Sequence, residues 1–445
     1  MIVDHTRIGA AFRRLSLPIA VQMLGDQLLG VVDTIAIGSL GAVALAGATA
    51  ANAVFMALAF AIFGFMSGTS IIAAQRIGAR DTDGFARTVR SGTIVPLLAG
   101  VACIAASLPA SSPVIHAMVG NLASAKASAA YLILRCASIV PFAISGTLIV
   151  GLGAAGNRQL GVLVLIIINL VHIPLLLMLG LGWWTHHPFG IAGAGVSSLL
   201  SETIAAIFAV IYVARRPIYR IFSQWTFPWR LARDSAWLGL PEAVFLLGVT
   251  LPDVVIIAML ARFGPTTIAA FRALNVVSDL TFIVPTPLQS AAQTVIGQRL
   301  GARDIAGARS FLARAQRFAV AVTTVTGAVA AALAWPLAFA FTLNATVATI
   351  AALPLALHMV TLPIKGWAMV SMAPIRASGD TRFSMTVGIV CSALVIPFAW
   401  IGIERLHLGL YSVPLGWIAA WSARALLTQW KLRDGSWTRR DLLAA

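Results

Sequence analysis

Charge is what this chain lacks. Only 10% of its 445 residues are Asp, Glu, Lys or Arg, against about a quarter in soluble domains. With 59% of residues hydrophobic and a mean hydropathy of +0.92, no water-soluble core could conceal the apolar surface. A soluble fold is excluded and the bilayer is the solvent. Cysteine is scarce too. Cys103, Cys136 and Cys391 lie in apolar segments with neither paired nor metal-like spacing. That excludes a disulfide framework and a zinc site and leaves them as small core residues. Segments of alternating polarity are missing, which excludes a membrane β-barrel. What is present instead are uniformly apolar runs such as 162–181, long enough to cross ~30 Å of hydrocarbon as helices. The His/Cys/Asp cluster or nucleophile constellation that a membrane-embedded enzyme requires is not apparent, so the chain reads as a non-enzyme without a metal.

The charges that remain are strongly basic, 31 Lys+Arg against 15 Asp+Glu. They cluster before Leu15, in 76–90, at Arg158, in 215–233, 299–317 and 376–382, and from Lys431 to Arg440; the intervening loops carry Lys126, Arg262 and Arg405. This alternation is the positive-inside pattern. It places both termini in the cytoplasm of a bacterial inner membrane, with anionic lipid as the partner of the basic loops and no nucleic acid needed. The basic residues before the first apolar stretch resemble a signal peptide, but the stretch runs too long and is read as the first span. Twelve spans are predicted, near 15–38, 46–74, 91–110, 129–152, 160–181, 191–213, 238–261, 268–297, 317–342, 351–374, 384–403 and 410–430. The expected organisation is an N-lobe over 1–214, a basic, aromatic interlobe linker over 215–236 lying along the membrane interface, a C-lobe over 237–431 and a cytoplasmic tail over 432–445.

An internal repeat organises the whole. Adding 223 takes Pro18 to Pro241, Gly41 to Gly264, Asn52 to Asn275, Pro113 to Pro336, Gly156 to Gly379 and Pro174 to Pro397. QRIGARD at 75–81 maps onto QRLGARD at 298–304. Six spans per copy give parallel repeats about an axis along the membrane normal, an arrangement that encloses a central cavity.

The first span, LPIAVQMLGDQLLGVVDTIAIGSLG, is followed by ALAGATAANAV and QRIGARD, and RASGDTR stands at 376–382. Together these resemble the MATE family, the multidrug and toxic compound extrusion transporters, over nearly the whole chain. The resemblance implies an all-α, twelve-helix MOP-type fold in two lobes around a cleft. It further implies antiport of cationic or amphipathic drugs against protons or sodium by a monomer with no cofactor. Pro18 matches the family's first-helix proline, which is linked to bending, and Pro241 is its copy. A passive kink is the alternative for both. Asp33, in VDT, falls on the acidic position of the family's N-lobe cation site, and Asn169 resembles the family's asparagine. The further acid one turn on is absent, with Ile173 in its place. In the second half, both carboxylates of the NorM-type site are missing: Gly248 and Lys365 stand there. The chain is therefore closer to the DinF-type branch, where coupling is assigned to the N-lobe. The alternative within the superfamily is a lipid-precursor or polysaccharide flippase, which usually carries fourteen spans and a basic cavity.

Ionisable groups inside spans face a cavity or a partner, because hydrocarbon penalises them by about 2.5–3.5 kcal/mol each on insertion scales. Gln22, Asp26 and Asp33 form a polar stripe on span one, the two acids about 10 Å apart along the axis. Asp33 is the expected proton carrier, with Asn169 and Asp26 as its companions in coupling. Gln22, Asp26, Glu202, Glu242, Asp253, Asp279 and Lys365 are the cleft candidates. Glu242 and Asp253 are expected on one face of span seven, and Lys365 to pair with one of these acids. His172 reads as a core or lipid-facing histidine, and His186 and His187 as solvated in an outer loop.

Overall fold

The computed structural model describes residues 8–120, 125–183, 188–223, 226–249, 251–440 and 442–443; the expectation for His186 and His187 lies outside them. It is all-helical, as long apolar runs in lipid require, since only a helix satisfies every backbone group within its own segment. The helices are α1 (Ile8–Gly38), α2 (Ala42–Gly78), α3 (Thr82–Gly92), α4 (Ile94–Val119), α5 (Ala125–Ala154), α6 (Gln159–Leu175), α7 (Gly190–Ala214), α8 (Trp229–Gly248), α9 (Leu251–Leu260), α10 (Pro265–Thr281), α11 (Pro285–Gly301), α12 (Ile305–Ala332), α13 (Ala334–Thr342), α14 (Ala345–Met359), α15 (Thr361–Ala377), α16 (Thr381–Ala393), α17 (Val395–Glu404) and α18 (Ser412–Asp434).

Among the described residues ten helical runs are long and apolar enough to cross a membrane, and eleven if a bent pair counts as one span. That pair is α14 and α15, inclined by 41° at Val360, so the tenth predicted span is broken rather than straight. Pro363 supplies the cause: it has no N–H for the carbonyl of Met359 four residues back. Where the twelfth span is predicted, α18 is less apolar, carrying Arg424, Gln429 and Lys431.

The helices divide into two compact units, one of residues 18–243 and the other of residues 3–17 with 244–445. The repeat offset therefore has a structural counterpart with an exchange built in. The first ten residues of α1 pack in the second unit, where Phe12 and Leu15 are buried with Phe311 and Val370. The leading part of α8 packs in the first. The exchange points fall at Pro18 and just after Pro241. Equivalent contacts hold both segments: Ser16 donates from Oγ to the carbonyl of Pro287 at 3.2 Å, and the copies of that pair, Gly239 and Gly64, meet backbone to backbone.

The repeated QR-GARD motif turns out to be a helix cap. Asp81 accepts from the N–H of Gly84 at 2.7 Å and starts α3, and Asp304 accepts from Gly307 at 2.8 Å and starts α12. Arg76 and Arg299 bond the second oxygens of the same aspartates. The bend before each cap puts Arg80 at φ 60° and Arg303 at φ 56°. Both aspartates thus satisfy a helix-start N–H and pair with an arginine in one gesture.

The segment after each sixth span folds back on its own unit. In the first, the Arg90 guanidinium is buried and donates to the carbonyls of Ile221 at 2.6 Å and of Arg220 and Thr226 at 3.3 Å. Asn157 donates to the Tyr219 hydroxyl at 3.1 Å. In the second, Asp380, the copy of Asn157, takes Lys431 at 3.2 Å and Arg440 at 3.5 Å, and Trp437 is buried. Burial lowers the neighbouring loop residue Arg158 to about 10, which leaves it charged at neutral pH. Arg90→Ala removes its three carbonyl bonds and a fourth, to Oγ1 of Thr226 at 3.5 Å, at once. It is expected to destabilise the fold by about 2 kcal/mol and to open 217–228 to limited proteolysis in detergent, which lysis-resistant wild-type protein would resist under the same conditions.

Candidate functional site

In the first unit, α1, α6 and α7 bring polar groups together. Small residues allow it: a Cβ on Gly161 would lie 2.6 Å from Oε1 of Gln22, and one on Gly25 would meet Leu165 at 2.4 Å. Glycine at such points lets membrane helices approach closely. About two to three turns beyond, Asp33 of α1 faces His172 of α6, with Oδ1 and Nε2 2.7 Å apart. His172 is only 2% exposed. Its Nδ1 is 3.4 Å from Oγ of Ser197 on α7. Just past His172, α6 passes Pro174 and widens into a π-turn over Leu176–Gly180, a local loosening common at functional sites.

Hydrogen counting constrains this chain of contacts. The Ser197 hydroxyl has one proton and also lies 2.8 Å from the carbonyl of Ala194. If it donates there, His172 must donate from Nδ1 to Ser197. The Asp33–His172 bond then needs a second proton, either on Nε2 or on the carboxyl of Asp33. Without that extra proton, Ser197 has to turn to His172 and leave Ala194. The pair with one proton added satisfies every contact, and the pair without it gives one up. This is a two-state hydrogen-bond network centred on Asp33.

The other expected residues of this unit are placed as follows. Asn169 donates to the carbonyl of Leu165 on its own helix at 2.9 Å, and no bond joins it to Asp33 among the described residues. Asp26 is exposed on α1. Glu202 on α7 lies near Arg135, Asp26 and His172, and its Oε2 is buried without a hydrogen-bond partner. The Arg135 guanidinium stacks 3.7 Å over the ring of Phe55. Glu242 is buried at 6% exposure on α8.

The second unit holds a different set. Asp253 on α9 lies near Asn275, Asp279 and Arg272 on α10, and its Oδ1 is buried without a hydrogen-bond partner among the described residues. Glu242 and Asp253 thus stand on separate helices and in separate units. Lys365 is 1% exposed, yet its ammonium lies 3.9 Å from the ring centre of Phe282 and 5.4 Å from that of Trp421. The expected ion pair is not formed among the described residues; Asp279 is the nearby acid, and the rings hold the cation. Desolvated cation–π contacts of this kind contribute about 2 kcal/mol. Beside it, His358 is buried and shares a 2.8 Å bond with Ser278. The 223-residue offset maps His358 onto Arg135 and Ser278 onto Phe55, so both units join the same two positions by different chemistry.

His172 is the residue that sequence reasoning undervalued. Its partner lies 139 residues away, and only its place beside Ile173, where the missing acid would stand, hinted at a role. No group of three or more His, Cys, Asp or Glu able to hold a metal ion occurs among the described residues.

Comparison with known proteins fits this picture. A probable multidrug resistance protein NorM from Halalkalibacterium halodurans is 21% identical over 96% of this chain and 94% of its own. A protein of that same name from Pseudomonas syringae pv. tomato is 27% identical over 87% and 86%. Among solved structures, a MOP superfamily transporter from Pyrococcus furiosus superposes with a TM-score of 0.86 at 22% identity, covering 97% of this chain and 96% of that one. A MATE transporter in its straight conformation gives 0.88 at 22% over 96% of each. The model of the MatE family matches twice, over residues 18–178 and 241–401. The two matches are offset by 241 − 18 = 223 residues, the repeat read from the sequence, and each begins at a proline where α1 or α8 changes unit. The chain belongs to the MatE family and is a multi-pass membrane transporter, not an enzyme.

Proposed function

We propose that this chain exports cationic or amphipathic organic compounds across the inner membrane in exchange for protons, with Asp33 of the first unit as the coupling group. The observation that carries the reading is the 2.7 Å contact of Asp33 with buried His172. An imidazole nitrogen at that distance stands where a bound sodium ion would need another oxygen, and Asn169 turns its amide to its own helix. A proton needs no such cage; it needs one acid whose hydrogen bonds differ with its state, which the Ser197–His172–Asp33 chain supplies. Protonation from outside rearranges these bonds and favours substrate release, and loss of the proton inside resets them. Ion binding that did not differ between states would drive nothing.

The second unit lacks both carboxylates of the NorM-type site, with Gly248 and a ring-bound Lys365 there. That supports coupling in the first half, in the DinF-type manner, although the relatives carry the NorM name. The scaffold is then common to the two copies, and the Asp33–His172 pair belongs to one of them. A flippase reading gains nothing from the first unit, where Asp26, Asp33 and Glu202 outnumber Arg135.

The test is uptake of a panel of cationic dyes by proteoliposomes, oriented so that an imposed gradient of pH or of sodium is the only drive. Accumulation under the pH gradient alone is expected. Accumulation under sodium alone would overturn the choice of ion, and none under either would overturn antiport.

A further inference from the structure

We propose that Glu202, with Asp26 beside it, is a second proton-holding station of the first unit, passing a proton between the cytoplasmic side and the Asp33–His172 pair. The inference rests on Asp33 being the coupling group, and deepens that reading.

Three observations lead to it. Oε2 of Glu202 is buried and meets no hydrogen-bond donor among the described residues. Buried carboxylate oxygens are normally met by donors, so this one is where a proton can be added without displacing any bond. Second, the guanidinium near it is held elsewhere. Arg135 on α5 packs its guanidinium on Phe55 at 3.7 Å, and no ion pair joins it to Glu202 among the described residues. A structural salt bridge would have closed that gap. Third, the groups facing Glu202 from the packed helices are Arg135 of α5, Asp26 of α1 and His172 of α6. Glu202 therefore touches the field of both the exposed acid and the coupling histidine.

The spacing makes two levels. Asp26 precedes Asp33 by seven residues, about 10 Å along α1. Glu202 follows Ser197 by five, about 7.5 Å along α7, which runs the opposite way through the membrane. Asp26 and Glu202 thus share one level, toward the cytoplasm by the positive-inside pattern, and Asp33, His172 and Ser197 share the other. The step balances simply. On discharge Asp33 returns its proton to Nε2 of His172, the imidazole releases the one on Nδ1, and the Glu202 carboxylate gains it by way of water across the ~7.5 Å between the two levels. Ser197 then turns its hydroxyl from the carbonyl of Ala194 to Nδ1 of His172.

The experiment is Glu202→Gln in proteoliposomes, with cationic dye uptake driven by a pH gradient, measured from pH 5 to 9 beside wild type and Asp33→Asn. Expected are an initial rate at least about 10-fold lower, the loss of one inflection from the pH profile, equilibrium dye affinity within about twofold of wild type, and recovery by Glu202→Asp. A wild-type rate and profile in Glu202→Gln, with Asp33→Asn inert, overturns the proposal and leaves the coupling reading standing. A fall in dye affinity matching the fall in rate also overturns it, since Glu202 would then be a substrate contact. Uptake retained in Asp33→Asn overturns the coupling reading itself. If Glu202→Gln does not fold, Asp26→Asn is judged by the same outcomes.

Discussion

Asp33→Asn protein, reconstituted into liposomes, is expected to accumulate no dye under a pH gradient, its signal collapsing to that of protein-free vesicles. Asparagine matches aspartate in shape and can still accept from Nε2 of His172 across the 2.7 Å contact. What it cannot do is change its proton count. A charge-assisted bond becomes a neutral one, a loss of about 1 kcal/mol, so thermal unfolding in detergent should hardly move. That separation decides between a coupling role and a purely structural one. A hydrogen-bonded core residue would lose stability and keep transport, whereas a coupling residue keeps stability and loses drive. Retained pH-driven uptake at wild-type rate would remove Asp33 from the mechanism. His172→Gln makes a graded companion. It keeps one donor for Asp33 but cannot relay between Ser197 and Asp33, so pH-driven uptake should fall to about the Glu202→Gln rate while dye affinity holds.

The limits of reading this site from sequence follow from the range of the forces involved. The acid itself was legible, because a carboxylate within an apolar run is costly and so conspicuous. Its partner was not. His172 and Asp33 meet across 139 residues, and nothing in the local pattern separates that histidine from a passive one. Lys365 shows the same limit from the other side. An ion pair was the economical expectation for a buried ammonium, but the rings of Phe282 and Trp421 hold it, and aromatic residues in a membrane chain are too common to point at one cation. The repeat was legible to the residue, since a strict offset needs no structure to be seen. Its physical content was less so. QR-GARD proved to be a cap and bend rather than chemistry, and the two prolines, expected as kinks, coincide with the points at which helices change unit.

Gly239→Val is expected to be the most damaging single change in the first unit outside the polar site. The leading part of α8 lies against α2 with no side chain between them. A Cβ on Gly239 would fall 2.4 Å from the carbonyl oxygen of Gly64 and 2.7 Å from Cα of Phe65. On α2, a Cβ on Gly68 would fall 1.9 Å from the carbonyl oxygen of Ser235, and one on Gly64 would fall 2.4 Å from the amide nitrogen of Ala243. Every obstructing atom is backbone or the Cβ of Ala243, so nothing can swing aside and the helices must part. Gly64 and Gly68 form a G-x-x-x-G pair, the arrangement by which membrane helices pack when lipid supplies no hydrophobic drive between them. Separation forfeits the dispersion contacts along the whole seam. Overpacking of this kind costs about 1–3 kcal/mol even where side chains can adjust, and here they cannot, so alanine should fall near the top of that range and valine beyond it. Gly30 of α1 is the control, because a Cβ there meets nothing within 4 Å. Alanine at Gly30 should hold or raise stability by up to about 1 kcal/mol through helix propensity. Thermal unfolding in detergent therefore has a predicted order: Gly30→Ala at or above wild type, then Gly68→Ala and Gly239→Ala well below it, and Gly239→Val lowest. A Gly239→Ala midpoint equal to that of wild type would mean that α8 is not inlaid against α2. The copied contact, Ser16 on Pro287, explains why the second unit tolerates a side chain at the equivalent place. There the seam is closed by a hydroxyl donating to a backbone carbonyl, so the same exchange of segments is held by a hydrogen bond in one unit and by bare backbone contact in the other.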